Sequence, residues 1–212
     1  MTKICIIQGH PHLGGNHLCH ALAASYQQGA QAAGHEVTII DIAGLSFDVL
    51  RDPALLTQPP SDEIRAAQAM ISDAQHFMII YPLWLGTMPA LVKAFFEQIA
   101  RGEFMMSHSE KGWPVPKLKG RSARLVVTMG MPATAYKLIF GAHGVRGFES
   151  SILGIAGIGP IRETLLGGVG GSAKQITKWL AKMADLGARA RRGQPMRQLS
   201  HLYLKWPSVH AK

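Results

Sequence analysis

Four histidines, His10, His12, His17 and His20, crowd one short stretch of the chain. Imidazole is a common zinc ligand, and His17 and His20 fall on one face of a predicted helix. The stretch nevertheless lacks the ligand spacing of structural zinc and has no acidic partner beside it. Contacts to an anion suit these rings better. Residues 9–17 follow an apolar strand-like run, Ile4 to Ile7, and end where a helix begins. Backbone amides and the helix dipole there favour a group such as phosphate, and Gly14 and Gly15 permit close backbone approach. Taken alone, an ordinary strand-to-helix turn capped by Asn16 has the same appearance.

Two further strand-like runs open into loops of unusual composition. Phe77 to Tyr81 leads into Pro82-Leu83-Trp84-Leu85-Gly86, an apolar, aromatic loop that water would oppose unless something flat covers it. A ring system can do so, and so can a neighbouring helix or a second subunit. Leu125 to Thr128 leads into Met129-Gly130-Met131-Pro132-Ala133-Thr134-Ala135-Tyr136. Tyr136 and His143 supply a phenol and an imidazole able to donate hydrogen bonds to developing negative charge or to pass a proton. Surface residues on a glycine-containing loop would give the same pattern. In an open parallel sheet, loops at the carboxyl ends of strands share one ligand crevice, and a nucleotide-like cofactor is the natural tenant.

Other chemistries fit less well. Gly167-Gly168-Val169-Gly170-Gly171-Ser172 lacks the lysine of a P-loop. Gly154, Gly157 and Gly159 lie too late in the chain for a dinucleotide fingerprint and have no ribose-binding acid after them at the expected distance. No nucleophile elbow appears, and the few carboxylates are scattered. A site poor in acid–base groups suits a bound cofactor that performs the chemistry.

The elements that must carry these loops alternate. Hydrophobic period predicts strands at 3–8, 37–41, 77–81, 125–128 and 160–166. It predicts helices at 16–33, from Ser61 as cap to about residue 74, from Pro89 through Ile99, and from Ser172 as cap to near Gly187. The apolar, glycine-rich stretch 147–159 reads as helix, and 102–124 as a long connection carrying Trp113-Pro114-Val115-Pro116. This order points to a doubly wound α/β domain with a five-stranded parallel sheet. It occupies residues 1–190, and 191–212 form a basic tail.

With 212 residues the chain can bury a substantial core. The formal charge of +9 is compatible with nucleic acid, anionic lipid or a phosphorylated ligand, but no nucleic-acid-binding motif accompanies it. Cys5 and Cys19 form no metal spacing or disulfide framework, no export signal is visible, and the longest apolar run is nine residues. The expectation is a protein of the cytoplasm with no membrane span and no nucleic-acid partner.

The run from Pro82 to Glu97, followed by Gly102-Glu103-Phe104, resembles the isoalloxazine-binding loop and following helix of NAD(P)H:quinone oxidoreductases of the DT-diaphorase type. Thr128 with Gly130, then Tyr136 and His143-Gly144, resembles that family's third flavin loop, and the His10 loop its phosphate and ribityl segment. The resemblance covers about residues 1–190 and implies a flavodoxin-like three-layer sandwich. It departs at Gly14-Gly15-Asn16-His17, where the family often has hydroxyl residues, and at Met131-Pro132-Ala133, where glycine and serine are common.

The resemblance implies FAD, with FMN as the alternative, and NAD(P)H as cosubstrate. Cofactor contacts would come from His10, Asn16, His17, Leu18, Pro82, Leu83, Trp84, Leu85, Thr128, Met129, Gly130 and Tyr136, with Tyr136 and His143 catalytic and no metal. It implies a two-electron ping-pong reaction in which hydride passes from NAD(P)H to flavin N5 and then to a quinone. It also implies a homodimer in which residues 102–124 wall the acceptor site and Trp113 is shared between subunits. The alternatives are a reductase of azo or nitro compounds and a regulatory binding subunit of a partner such as a potassium-efflux system.

Overall fold

In the computed structural model, residues 1–14 and 16–190 are described; Gly15 and the basic tail 191–212 lie outside the described residues. The sheet is built from β1 (Lys3–Gln8), β2 (Glu36–Asp41), β3 (His76–Pro82), β6 (Ser122–Met129) and β7 (Ile161–Gly167). A separate two-stranded hairpin of β4 (Met106–His108) and β5 (Pro114–Pro116) precedes β6. The main helices are α1 (Leu18–Ala32), α2 (Asp62–Asp73), α3 (Ala90–Ala100) and α6 (Ala173–Ala188), and two short ones, α4 (Ala133–Leu138) and α5 (His143–Gly147), follow β6.

The five strands lie in the order β2-β1-β3-β6-β7, and every neighbouring pair is parallel. A parallel strand between two helical layers must be apolar on both faces, so its sequence is a continuous apolar run. Alternate residues then serve opposite layers. Ile4, Ile6, Met78, Ile80 and Val126 pack with Leu22, Tyr26 and Met183 of α1 and α6. Cys5, Ile7, Phe77, Ile79, Leu125 and Val127 pack with α2 and α3 through Ile64, Ile71, Phe95 and Ile99. From β1 the chain turns to one side for β2 and to the other for β3, which places the reversal of strand order between β1 and β3. The crevice outside their carboxyl ends is the expected ligand position.

Several boundaries differ from the expectation. β6 begins at Ser122 rather than Leu125, because the polar residues that read as loop are satisfied within the sheet. Ser122 Oγ lies 2.8 Å from His76 Nδ1, and Arg124 Nη1 donates to Thr164 Oγ1 at 3.0 Å. α1 starts at Leu18, with His17 rather than Asn16 in the capping position. Ser61 and Ser172 precede their helices as read, but neither side chain accepts a capping hydrogen bond. The third loop contains α4, which begins after Pro132 and is too short to leave a periodic signature. The predicted helix over 147–159 instead starts at His143 and continues as a π-helix over Phe148–Gly154.

The connection 102–124 forms the β4–β5 hairpin, which is anchored by Met105 and Leu118 against Phe77, Ile71 and Ile158. Leu118 accordingly lies near the amino ends of β3 and β6, so the hairpin does not border the carboxyl-end crevice of its own chain. Trp113, in its turn, is exposed. Among the described residues, no helix is long and apolar enough to cross a membrane.

Candidate functional site

The loop after β1 leaves the sheet through Gly9, whose amide donates to the Ile80 carbonyl of β3 at 2.7 Å. Its imidazoles then gather. His10 and His17 stack with ring centroids 4.0 Å apart, and His17 Nε2 lies 3.1 Å from His12 Nδ1. Gln8 Oε1 accepts from the His10 amide at 3.1 Å, which ties the loop to the end of β1. His20, in the first turn of α1, has both ring nitrogens buried with no hydrogen-bond partner. Burial, and then the neighbouring imidazoles, hold His10 below the ordinary histidine value. Burial also lowers His20, opposed by the Asp41 carboxylate at the end of β2. Among the described residues, no group of three histidine, cysteine or carboxylate side chains is arranged to hold a metal ion.

The loop after β3 is a tight turn. The Trp84 and Thr87 amides donate to each other's carbonyls at 2.9 and 3.0 Å, with Leu85 at φ +48° and Gly86 at φ +83° between them. A left-handed conformation suits glycine but strains leucine. The strained leucine is fully solvent-facing, and Trp84 beside it is 50% exposed. Strain and exposed apolar surface together mark a surface built to be covered. Leu83, by contrast, packs partly against the core, and its amide donates to the Thr128 carbonyl at 2.7 Å.

At the end of β6 the side chains of Thr128 and Met129 turn inward. Thr128 is 5% exposed, with its hydroxyl 3.3 Å from Cys19 Sγ, and Met129 is buried in the core. Gly130 is exposed, and a side chain placed there would meet nothing within 4 Å. The loop after β7 closes this side, since the Val169 and Gly168 amides donate to the Met129 and Met131 carbonyls at 3.0 and 3.1 Å.

The second and third loops are locked together from beneath. Tyr136 is 1% exposed; its hydroxyl donates to the Gly86 carbonyl at 2.9 Å, and the Val145 and Gly144 amides face its oxygen. Gly144 packs so closely on the turn that a Cβ there would lie 2.3 Å from the Gly86 oxygen. Tyr136 therefore braces the turn rather than presenting its hydroxyl to the crevice. The hydroxyl expected at the flavin and the reacting centre is here turned to the Gly86 carbonyl. His143, at the start of α5, is exposed, and its ring folds back over Gly141.

Behind this brace, burial and then the neighbouring Glu163 carboxylate push the Glu149 carboxyl up to about 7. Lys137 stands 3.4 Å from Glu163.

His10, Asn16, His17, Leu18, Pro82 to Leu85 and Thr128 to Gly130 thus all fall at the carboxyl edge of β1, β3 and β6, the strands on which the loops were expected to converge. A family model described as flavodoxin-like fold matches residues 2–187. The chain belongs to that family. Its flavodoxin-like sheet order is the one in which this crevice takes flavin mononucleotide in flavodoxin itself.

A ribosyldihydronicotinamide dehydrogenase-like protein, traD, of Penicillium crustosum is 32% identical over 105 residues, covering 46% of this chain and 36% of that protein. The chain therefore aligns with little more than a third of that relative's length. The NAD(P)H:quinone oxidoreductase from Methanothermobacter marburgensis superposes with a TM-score of 0.71 at 17% identity, covering 89% of this chain and 98% of that one. An FMN-dependent NADH-azoreductase from Bacillus anthracis, in complex with FMN, gives 0.68 at 16% identity, covering 89% and 99%. At these identities the structural likeness is one of fold.

Three features of the flavodoxin-like site went unread in the sequence. They are the Cys19–Thr128 contact between α1 and β6, the Tyr136 brace, and the Glu149–Glu163 pair. Each joins residues far apart in the chain and carries no local signal; only the tight packing of His143-Gly144 had a trace, in its resemblance to a known loop.

Proposed function

We propose that this chain is a flavin-dependent NAD(P)H oxidoreductase that reduces quinones. The observation that carries the reading is the exposed indole and strained leucine of Trp84-Leu85, set on a braced turn at the switch point of a flavodoxin-like sheet. The residues present fit a flavin. A flat ring would cover the apolar turn, and at the end of β6 Gly130 leaves open space beside it. An anionic tail meets the imidazoles of the first loop and the amino end of α1. The names of the similar proteins, a dehydrogenase-like protein, a quinone oxidoreductase and an azoreductase, support the same class of chemistry.

Bound there, a flavin supplies hydride transfer between a nicotinamide and an acceptor. The protein contributes position and hydrogen bonds. Pro82 to Leu85 and the backbone from Thr128 to Gly130 hold the ring, Tyr136 and Gly144 keep the turn from yielding, and His10, Asn16, His17 and Leu18 hold the tail. His143, exposed beside the turn, donates to negative charge developing on the acceptor or ring. Replacing His143 by Gln lowers turnover about tenfold to a hundredfold while flavin remains bound; unchanged rates of both half-reactions remove it from the mechanism.

Both FAD and FMN present a ring and an anionic tail to this crevice. The exposed rim filters acceptors weakly by shape, so azo compounds form a second acceptor class that competition kinetics separates from quinones. The working form is a homodimer, in which the exposed Leu138, Ile139 and Phe140 and the hairpin's Trp113 are available to a second copy. A monomer in light scattering overturns that arrangement.

The test of the reading is anaerobic mixing. The purified protein, loaded with FMN or FAD, bleaches on addition of NADH or NADPH and recovers its yellow colour on addition of a quinone. A protein that takes up neither flavin, or whose bound flavin neither nicotinamide reduces, overturns the reading.

A further inference from the structure

Among the described residues, no fixed positive charge is among the causes that shift His10 or His20 in the first loop's imidazole cluster. Besides the stacked His10 and His17 and the His12–His17 contact, His20 stands with its ring centroid 5.3 Å from His10 and 5.8 Å from His17. From β2 the carboxylate of Asp41 bears on His20. From β1 the uncharged Gln8 holds the loop, and beside His20 on α1 the Cys19 thiol faces Thr128 of β6 and is pushed up to about 11, so it stays neutral. Neither lysine nor arginine figures in the fields that shift His10 and His20.

Neighbouring imidazoles oppose the charging of His10 and His20, because each added proton repels the next. Both shifted rings are accordingly neutral near pH 7 in the free protein. That state is incomplete. A neutral imidazole has one donor and one acceptor, and both nitrogens of His20 are buried and unpartnered. A buried polar atom without a partner is destabilising until something pairs with it. A dianion entering among the rings changes the balance: opposite charge favours the imidazolium, and a ring between that anion and Asp41 would face a negative group on each side.

We propose that His10, His12, His17 and His20 form a proton-taking phosphate site, which binds the terminal phosphomonoester of a flavin together with about one proton from solvent. The proposal rests on the flavin reading above and deepens it by naming the anion. A phosphomonoester presents three free oxygens and nearly two negative charges at one point, which matches imidazoles clustered on one spot at the start of α1. The internal diphosphate of FAD carries one charge on each phosphorus and offers no such dianionic end.

The experiment is calorimetric titration of the full chain, freed of flavin, with FMN and with riboflavin, which shares the ring but has no phosphate. Titrations run at about pH 8 and about pH 7, each in two buffers of different ionisation enthalpy. In this window the FMN phosphate stays largely dianionic, so proton uptake reports the protein. The expected result is an FMN Kd that falls about tenfold over this pH unit, with about one proton taken up, while the riboflavin Kd moves less than about twofold. His20→Asn reduces the FMN slope by at least about half, and its retained riboflavin binding shows that the variant is folded.

An FMN Kd equal at both pH values, with heats independent of buffer, overturns the proposal and leaves the flavin reading standing. The same slope with FAD overturns the assignment to a phosphomonoester. Failure of every flavin to bind removes the flavin reading and this proposal with it.

Discussion

On the β1 side of the crevice the chain presents imidazoles held by one another and by Gln8, whereas on the β3–β6 side it presents an exposed indole on a turn locked from below by Tyr136 and Gly144. The first side is chemically adaptable, because its charge depends on what it meets. The second is rigid and apolar, and its hydrogen bonds are satisfied before any ligand arrives. A ligand with a flat ring and an anionic tail needs both kinds of surface, one at each end. The contrast teaches that affinity for the ring and affinity for the tail should be separable by mutation.

The largest effect should come from breaking the rigid side. Gly144→Val places side-chain atoms where a Cβ alone already lies 2.3 Å from the Gly86 oxygen. The turn must move, at a cost of about 3 kcal/mol in unfolding free energy measured by urea denaturation. Riboflavin binding is lost with it; wild-type stability and binding would mean that the second and third loops are not locked in this way.

Trp84→Ala separates ring affinity from fold. The side chain is half exposed, so stability changes by less than about 0.5 kcal/mol, whereas the Kd for riboflavin and FMN alike rises about tenfold. A shift confined to FMN would place the indole at the wrong end of the ligand. Tyr136→Phe is smaller. It removes the donor to Gly86, costs about 1 kcal/mol of stability, and raises riboflavin Kd a few-fold without altering the pH slope of FMN binding. An intact Kd with lost turnover would restore Tyr136 to the reacting centre.

The two sides also differ in how they respond to pH. Glu149 is raised from 4.5 to about 7, so the folded state holds its proton more tightly than the unfolded chain. Its contribution to stability is present at low pH and is lost as pH rises from about 4.5 through about 7. His10 and His20 lie below 6.5, so their contribution is present above 6.5 and is lost as pH falls below it. Glu149→Gln should flatten the fall at rising pH and leave the acid-side loss in place, read as the urea midpoint against pH. An unchanged profile would separate Glu149 from the brace.

Much of this layout was legible in the residues themselves. Continuous apolar runs located β1, β3 and most of β6, shorter apolar stretches among polar residues located the edge strands β2 and β7, and the loops after β1, β3 and β6 could be read as one site because a parallel sheet sends them to one edge. The histidine cluster was visible as composition, but its internal contacts were not. What stayed hidden was either short or long-range. α4 is a helix of six residues behind Pro132, and the start of β6 was masked by Ser122 and Arg124, whose partners are on neighbouring strands. Tyr136 had the right chemistry for catalysis, and only the fold brings the Gly86 carbonyl to its hydroxyl.

A crystal structure of the protein with FMN is the most direct test of the site as a whole. The isoalloxazine is expected along Trp84-Leu85 and beside Gly130, with the phosphate among His10, His17 and His20. Flavin bound elsewhere, or a crevice left empty at saturating FMN, would contradict this arrangement.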